Sequence, residues 1–104
     1  MVAGFDWDAG NQTKCQKHGV SIAEIEALFW SDPLVAPAPR RSDPEDRMIA
    51  VGRTAAGRPL FVEFTMRTAP RGRLIRAISA RFMHAKEIRA YEQATAATED
   101  RQGS

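Results

Sequence analysis

A chain of 104 residues, 43% hydrophobic and 27% charged, can bury one modest core and is expected to form a single domain over 1–104. One cysteine excludes an internal disulfide framework and fits a reducing cytoplasm. No apolar run approaches the roughly 20 residues of a membrane span, and no secretory signal opens the chain, so a cytoplasmic protein is expected.

Phe5-Asp6-Trp7-Asp8 alternates aromatic and acidic residues. It reads as a short extended segment with Phe5 and Trp7 turned inward. Asp8 can cap a helix from about Ala9 to His18, and Lys17-His18-Gly19 is a helix stop, with cations in the last turn and glycine past it. Ser21-Ile22-Ala23-Glu24 has capping-box spacing, and Val20 stands where it can staple to Ile25. Ile22, Ile25, Leu28 and Phe29 then share one face of a helix over Ile22–Trp30, which Asp32-Pro33 ends.

Leu34 to Asp46 is expected to be a loop: Pro33, Pro37, Pro39 and Pro44, with Arg40-Arg41 among them, exclude a helix or a central strand. Three strands follow, Arg47–Arg53, Leu60–Met66 and Leu74–Ala80. Thr54-Ala55-Ala56-Gly57-Arg58 is a hairpin turn with Gly57 where a positive φ is needed, and a loop with Pro70 and Gly72 joins the second pair. Tight turns favour antiparallel order, because parallel neighbours need a long crossover. A last helix starts near His84, with Met83 and Ile88 at staple positions and Tyr91 on its apolar face. The expected architecture is α+β: two N-terminal helices, a small three- to four-stranded antiparallel sheet and a C-terminal helix. Order is expected from about residue 3 to 94, with a flexible tail over 95–104.

Charge is concentrated late in the chain. From Arg67 to Arg89 there are seven basic residues and one acidic residue, whereas the segments on either side are net acidic. An anionic partner follows, with nucleic-acid phosphate the first candidate. His18 carries the side chain type best suited to proton transfer near neutral pH. The plainer reading, and the favoured one from the residues alone, is an ordinary helix C-terminus, where the dipole suits a histidine. Arg76 interrupts an apolar strand, and Arg81 follows five residues later. Strict alternation puts residues five apart on opposite faces, so both can serve one site only if the strand ends or bulges near Ser79. Otherwise they are solvated heads on an open sheet face. Arg53 could reach a phosphate or guard a sheet edge. Tyr91 could be a core tyrosine with a wet hydroxyl, and Glu63 an arginine's partner or a base. There is no Walker loop, no Gly-x-Gly-x-x-Gly and no Cys-x-x-Cys or His-x-x-x-His spacing, so no metal or cofactor is expected.

Phe5-Asp6-Trp7-Asp8, then Lys17-His18-Gly19-Val20-Ser21, then Asp32-Pro33 resembles the N-terminal half of BrnT-type toxins of bacterial toxin–antitoxin pairs. Gly52-Arg53, Gly57-Arg58, the run Ile75-Arg76-Ala77-Ile78-Ser79-Ala80-Arg81, and Glu87 with Tyr91 continue the resemblance over roughly 5–92. The chain differs from the family pattern at Lys14, where asparagine is common, at His84, where a small cap is usual, and in a shorter Asp8-to-His18 spacing. The resemblance implies a RelE-like fold and a small cytoplasmic endoribonuclease neutralised by a BrnA-type ribbon-helix-helix antitoxin. It also implies that DNA is bound only through the toxin–antitoxin complex.

The chemistry to expect is metal-independent RNA cleavage that inhibits translation. His18 serves as the acid–base residue, Arg53, Arg76 and Arg81 as a phosphate clamp, Lys17 on a flanking phosphate, and Tyr91 orienting an arginine or the ribose. The alternatives are a non-catalytic basic module that docks an antitoxin or nucleic acid, and a structural partner that pairs through a sheet edge or helix.

Overall fold

The computed structural model describes residues 2–38 and 47–103. They form β1 (Val2–Phe5), α1 (Ala9–Gln16), α2 (Ile22–Trp30), β2 (Leu34–Pro37), β3 (Met48–Arg53), β4 (Pro59–Ala69), β5 (Gly72–Phe82) and α3 (Ala85–Gly103). The class is the expected α+β. Pro39, Arg40, Arg41 and Pro44 of the proline-rich loop lie outside the described residues, as does Ser104.

Both N-terminal helices start as their capping residues dictate. The Asp8 side chain accepts the Asn11 backbone N–H at 3.0 Å, and the Asn11 side chain accepts the Asp8 N–H at 2.7 Å. Ser21 and Glu24 make the same reciprocal pair at 3.1 and 2.9 Å. Each box satisfies backbone donors that a helix start leaves orphaned. Val20 and Ile25 are buried together, as the staple requires. α1 ends at Gln16, two residues short of His18, and Gly19 takes φ 87° to close it.

The sheet has five strands in the order β1-β5-β4-β3-β2. The antiparallel meander β3-β4-β5 is the expected one, and a short strand adds to each of its sides. This corrects the expected three- to four-stranded antiparallel sheet: β1 pairs with β5 in parallel, so the sheet is mixed. β2 corrects the loop expected from Leu34 onward: Leu34–Pro37 pairs with β3 from Leu34↔Val51 to Pro37↔Met48 as an edge strand, where proline is tolerated. Gly57 turns β3 into β4 with φ 84°, its N–H donating to the Thr54 carbonyl at 2.8 Å.

One face of the sheet is the core. Ala50 from β3, Leu60, Val62 and Phe64 from β4, and Ile75, Ala77 and Ala80 from β5 meet Cys15, Val20, Ile25 and Leu28. Phe29 completes the layer, its ring 4.9 Å from that of Phe64 and 5.9 Å from that of Phe5. Trp7 packs against the same core and donates to Glu26 at 2.9 Å, which pins α2 to the N-terminal segment.

Gly52 marks the tightest approach of α2 to the sheet. A Cβ there would stand 2.6 Å from Leu28 Cδ1. Leu28 is fully buried and has little room to retreat. Gly52→Ala is therefore expected to destabilise by about 1–3 kcal/mol, the ordinary cost of overpacking. Urea unfolding checks it, and an unchanged midpoint would contradict the packing described.

Beyond Phe5 the open side of β5 is sealed by α1 rather than by a strand. Asn11, itself buried, donates to the Ala77 carbonyl at 3.0 Å and to the Asp6 carbonyl at 2.9 Å. The polar α1 is thus held by hydrogen bonds from one amide as much as by Cys15. Burial raises the Cys15 thiol to about 11, so it is protonated at neutral pH and is no thiolate nucleophile. No helix among the described residues is long and apolar enough to cross a membrane.

Candidate functional site

Register decides which side chains share the face turned away from the core. On β4 and β5, Phe61 opposes Arg81 and Glu63 opposes Ser79, but the next pair is Phe64 with Ala77, and then Thr65 with Arg76. Ile78 is the extra residue of a β-bulge. A bulge shifts the alternation of the strand that carries it by one position. Arg76 and Arg81 therefore lie on the same face, together with Ser79, Phe61, Glu63 and Thr65. β3 adds Arg53, opposite Pro59, and Ile49, opposite Glu63. The three arginines thus project from one sheet face, Arg53 and Arg81 by register and Arg76 through the one-residue insertion.

Carboxylates hold each of them. Arg81 forks onto Glu87 of α3, Nη1 to Oε1 at 2.7 Å and Nη2 to Oε2 at 2.8 Å, and its guanidinium carbon lies 4.3 Å from the Phe61 ring centre. Arg53 donates to Glu92 of α3 at 2.9 Å and to the Gly57 carbonyl at 3.0 Å, with its guanidinium carbon 5.8 Å from the Tyr91 ring centre. Arg76 reaches Asp8 at 2.8 Å and Asp6 at 3.4 Å. Each arginine spends two of its five N–H donors on these bonds, so the rest can meet a phosphate. Arg47, which sequence reasoning did not single out, pairs with Glu63 at 3.4 Å on the same face. Glu63 is thus an arginine's partner, as one of its two expected roles required.

The ion pairs shift titration as opposite charges should. The Arg81 guanidinium, then the His84 N–H, hold Glu87 down to about 2. Glu87 in return raises Arg81. The Asn11 N–H and then Arg76 lower Asp8, and Asp8 raises Arg76. A carboxyl lowered in the folded state stabilises the fold above its unfolded value, here 4.5, and loses that contribution as pH falls toward 2. The stability difference between the wild type and Glu87→Gln is expected to shrink across that window in urea titrations. Curves that stay parallel would contradict the pairing.

Glu87 also begins α3. Its Oε1 accepts the His84 N–H at 2.9 Å, which is half of a capping box. Its spacing from His84 carried that signal in the sequence, but nothing there tied it to Arg81. Asn11 and Glu92 gave no signal beyond polarity.

The remaining expected residues are placed differently. Lys17 is the C-cap of α1 and is exposed, and its backbone N–H donates to the Lys14 carbonyl at 3.4 Å. His18 is exposed in the turn that follows and makes no hydrogen bond, ion pair or ring contact with the described residues. The structure brings Arg53 to Tyr91 and sets Arg53, Arg76 and Arg81 on one face, while no contact joins Lys17 or His18 to them.

A family model described as "Ribonuclease toxin, BrnT, of type II toxin-antitoxin system" matches residues 7–87. The match begins at Trp7 and ends at Glu87, so it takes in His18 and the three arginines and stops short of Tyr91. A comparison with curated proteins finds no match.

Proposed function

The chain belongs to the BrnT family of ribonuclease toxins of type II toxin–antitoxin systems, and from that premise we propose that it is a metal-independent endoribonuclease that cleaves RNA on the arginine face of its sheet. The observation that carries the reading is the face that Arg53 and Arg81 share by register and that the bulge at Ile78 gives to Arg76 as well. Planar guanidinium groups already oriented by carboxylates are suited to bidentate contact with phosphate.

In this reaction a ribose 2′-oxygen attacks the adjacent phosphorus and the bond to the 5′-oxygen breaks. One strand end is a 2′,3′-cyclic phosphate and the other a 5′-hydroxyl. The arginines stabilise the charge that grows on the phosphoryl oxygens. His18 is the acid–base residue, moving a proton from the 2′-hydroxyl or onto the leaving 5′-oxygen. For this His18 and the arginines have to meet at one and the same phosphate, so the loop between α1 and α2 has to approach the phosphate that the arginines hold. Lys17 takes a flanking phosphate there. Tyr91 orients Arg53. The consequence in the cell is inhibited translation, in the cytoplasm, until a BrnA-type ribbon-helix-helix antitoxin neutralises the toxin. DNA is met only through that complex.

The exposed, uncontacted His18 favours one rival, a basic module that binds RNA or antitoxin without cutting. Incubating the purified chain with labelled single-stranded RNA and a chelator separates the two. Scission to cyclic-phosphate and 5′-hydroxyl ends, lost in His18→Ala, is the expected result. Binding without scission, with translating ribosomes absent or present, would support the module instead.

A further inference from the structure

α3 stands over the arginine face without lying flat on it. Two ion pairs, Arg81–Glu87 and Arg53–Glu92, tie it down. Between helix and sheet is an open cavity of ≈ 350 Å³, walled by Ile49, Val51, Phe61, Met83, Ala90 and Tyr91, with the edge strand β2 on its far side. This volume is at the small end of ligand pockets, which run from roughly 300 to 1,000 Å³. It suits one flat ring system rather than a helix or an extended peptide.

Charge says what kind of ring. Arg81 lies against Phe61 and Arg53 against Tyr91, so the two aromatic walls each carry a guanidinium. An occupant that buries an aromatic surface and offers an anion beside it satisfies both features. A nucleotide has that chemistry. We propose that this cavity is a nucleobase pocket, seating one base of single-stranded RNA against Phe61 and Tyr91 while the phosphate beside that base meets Arg53 and Arg81. The proposal rests on the ribonuclease reading above and names how the substrate strand is held. Glu87, the acidic group in the wall, is engaged by Arg81 and the His84 N–H. The contact is therefore with the face of the base, which every base has, and selects weakly among the four.

The test is binding of a short labelled single-stranded RNA whose 2′-hydroxyls are methylated, so that the proposed attack cannot occur. A series of the same strand with one abasic position at a time is measured beside it. One position is expected to weaken binding on the order of tenfold when its base is removed, the size that losing a base–aromatic contact carries. That position-specific loss is expected to vanish in Ala90→Leu, which fills the cavity from an exposed helix site with a good helix former. Equal affinity for every abasic strand in the wild type would overturn the pocket and leave the ribonuclease reading standing. No affinity for the intact strand would overturn both. If Ala90→Leu keeps the abasic pattern and loses only antitoxin binding, the cavity is a protein-docking site and the proposal is wrong.

Discussion

Arg81→Ala is expected to lower RNA cleavage by on the order of 10²–10³-fold, the usual cost of removing one donor aimed at transition-state charge. Arg81 is the most firmly oriented of the three arginines. Glu87 takes both of its terminal nitrogens at 2.7 and 2.8 Å, and Phe61 lies beneath it. Its remaining donors are therefore held in place before substrate arrives, which is what makes such a group effective. The alanine variant does further harm, because the Glu87 carboxylate is left facing the bound phosphate with nothing to neutralise it. Arg81→Lys is expected to recover only part of the rate, since an ammonium keeps the charge and loses the fork. Single-turnover cleavage, with urea midpoints run in parallel to separate stability from chemistry, checks both. A wild-type rate in Arg81→Ala would remove this residue from the site.

Leu60→Ala is expected to cost 2–5 kcal/mol of stability, the range for truncating a fully buried leucine. Leu60 is completely inaccessible, near the start of β4, opposite Gly52 on one neighbour and Phe82 on the other. Its side chain enters the layer that α2 caps with Leu28 and Ile25. Gly52 has no side chain that could move into the space. Against a total of about 5–15 kcal/mol for a domain this loss is large, and a fall of roughly ten degrees or more in the melting temperature follows. Thermal and urea unfolding decide it. A loss below about 1 kcal/mol would mean that the core is packed otherwise.

Most of the fold could be read locally. Asp8, Ser21 and Glu24 announce helix starts because the groups that satisfy a capping box are three residues apart. Val62, Phe64 and Ile75 announce strands because a half-buried sheet imposes a period of two. What could not be read is non-local. β1 joins β5 in parallel across nearly the whole chain, and four residues such as Val2–Phe5 carry no record of that partner. The link from Asn11 to the Ala77 carbonyl is hidden for the same reason.

The site was legible in its residue types and not in its geometry. The arginines stand out by charge. Alternation alone sets Arg76 and Arg81 apart, and only the insertion of Ile78, an ordinary strand residue with no glycine to mark it, brings them together. Nothing local in the sequence says that strand arginines lie opposite Glu87 and Glu92. His18 stands out by its chemistry alone, and the fold leaves it exposed in the turn after α1.

Cleavage on the arginine face requires Arg53, Arg76 and Arg81 to meet RNA phosphates together. The most direct measurement is the salt dependence of single-stranded RNA binding by the wild type and by Arg53→Ala, Arg76→Ala and Arg81→Ala. Each phosphate contact on a single strand contributes a slope of about −0.7 in log K against log salt. Each variant is expected to bind more weakly with a slope shallower by about that amount. Slopes that match the wild type in all three would show that the arginines serve their carboxylates and not the substrate, and would contradict the account.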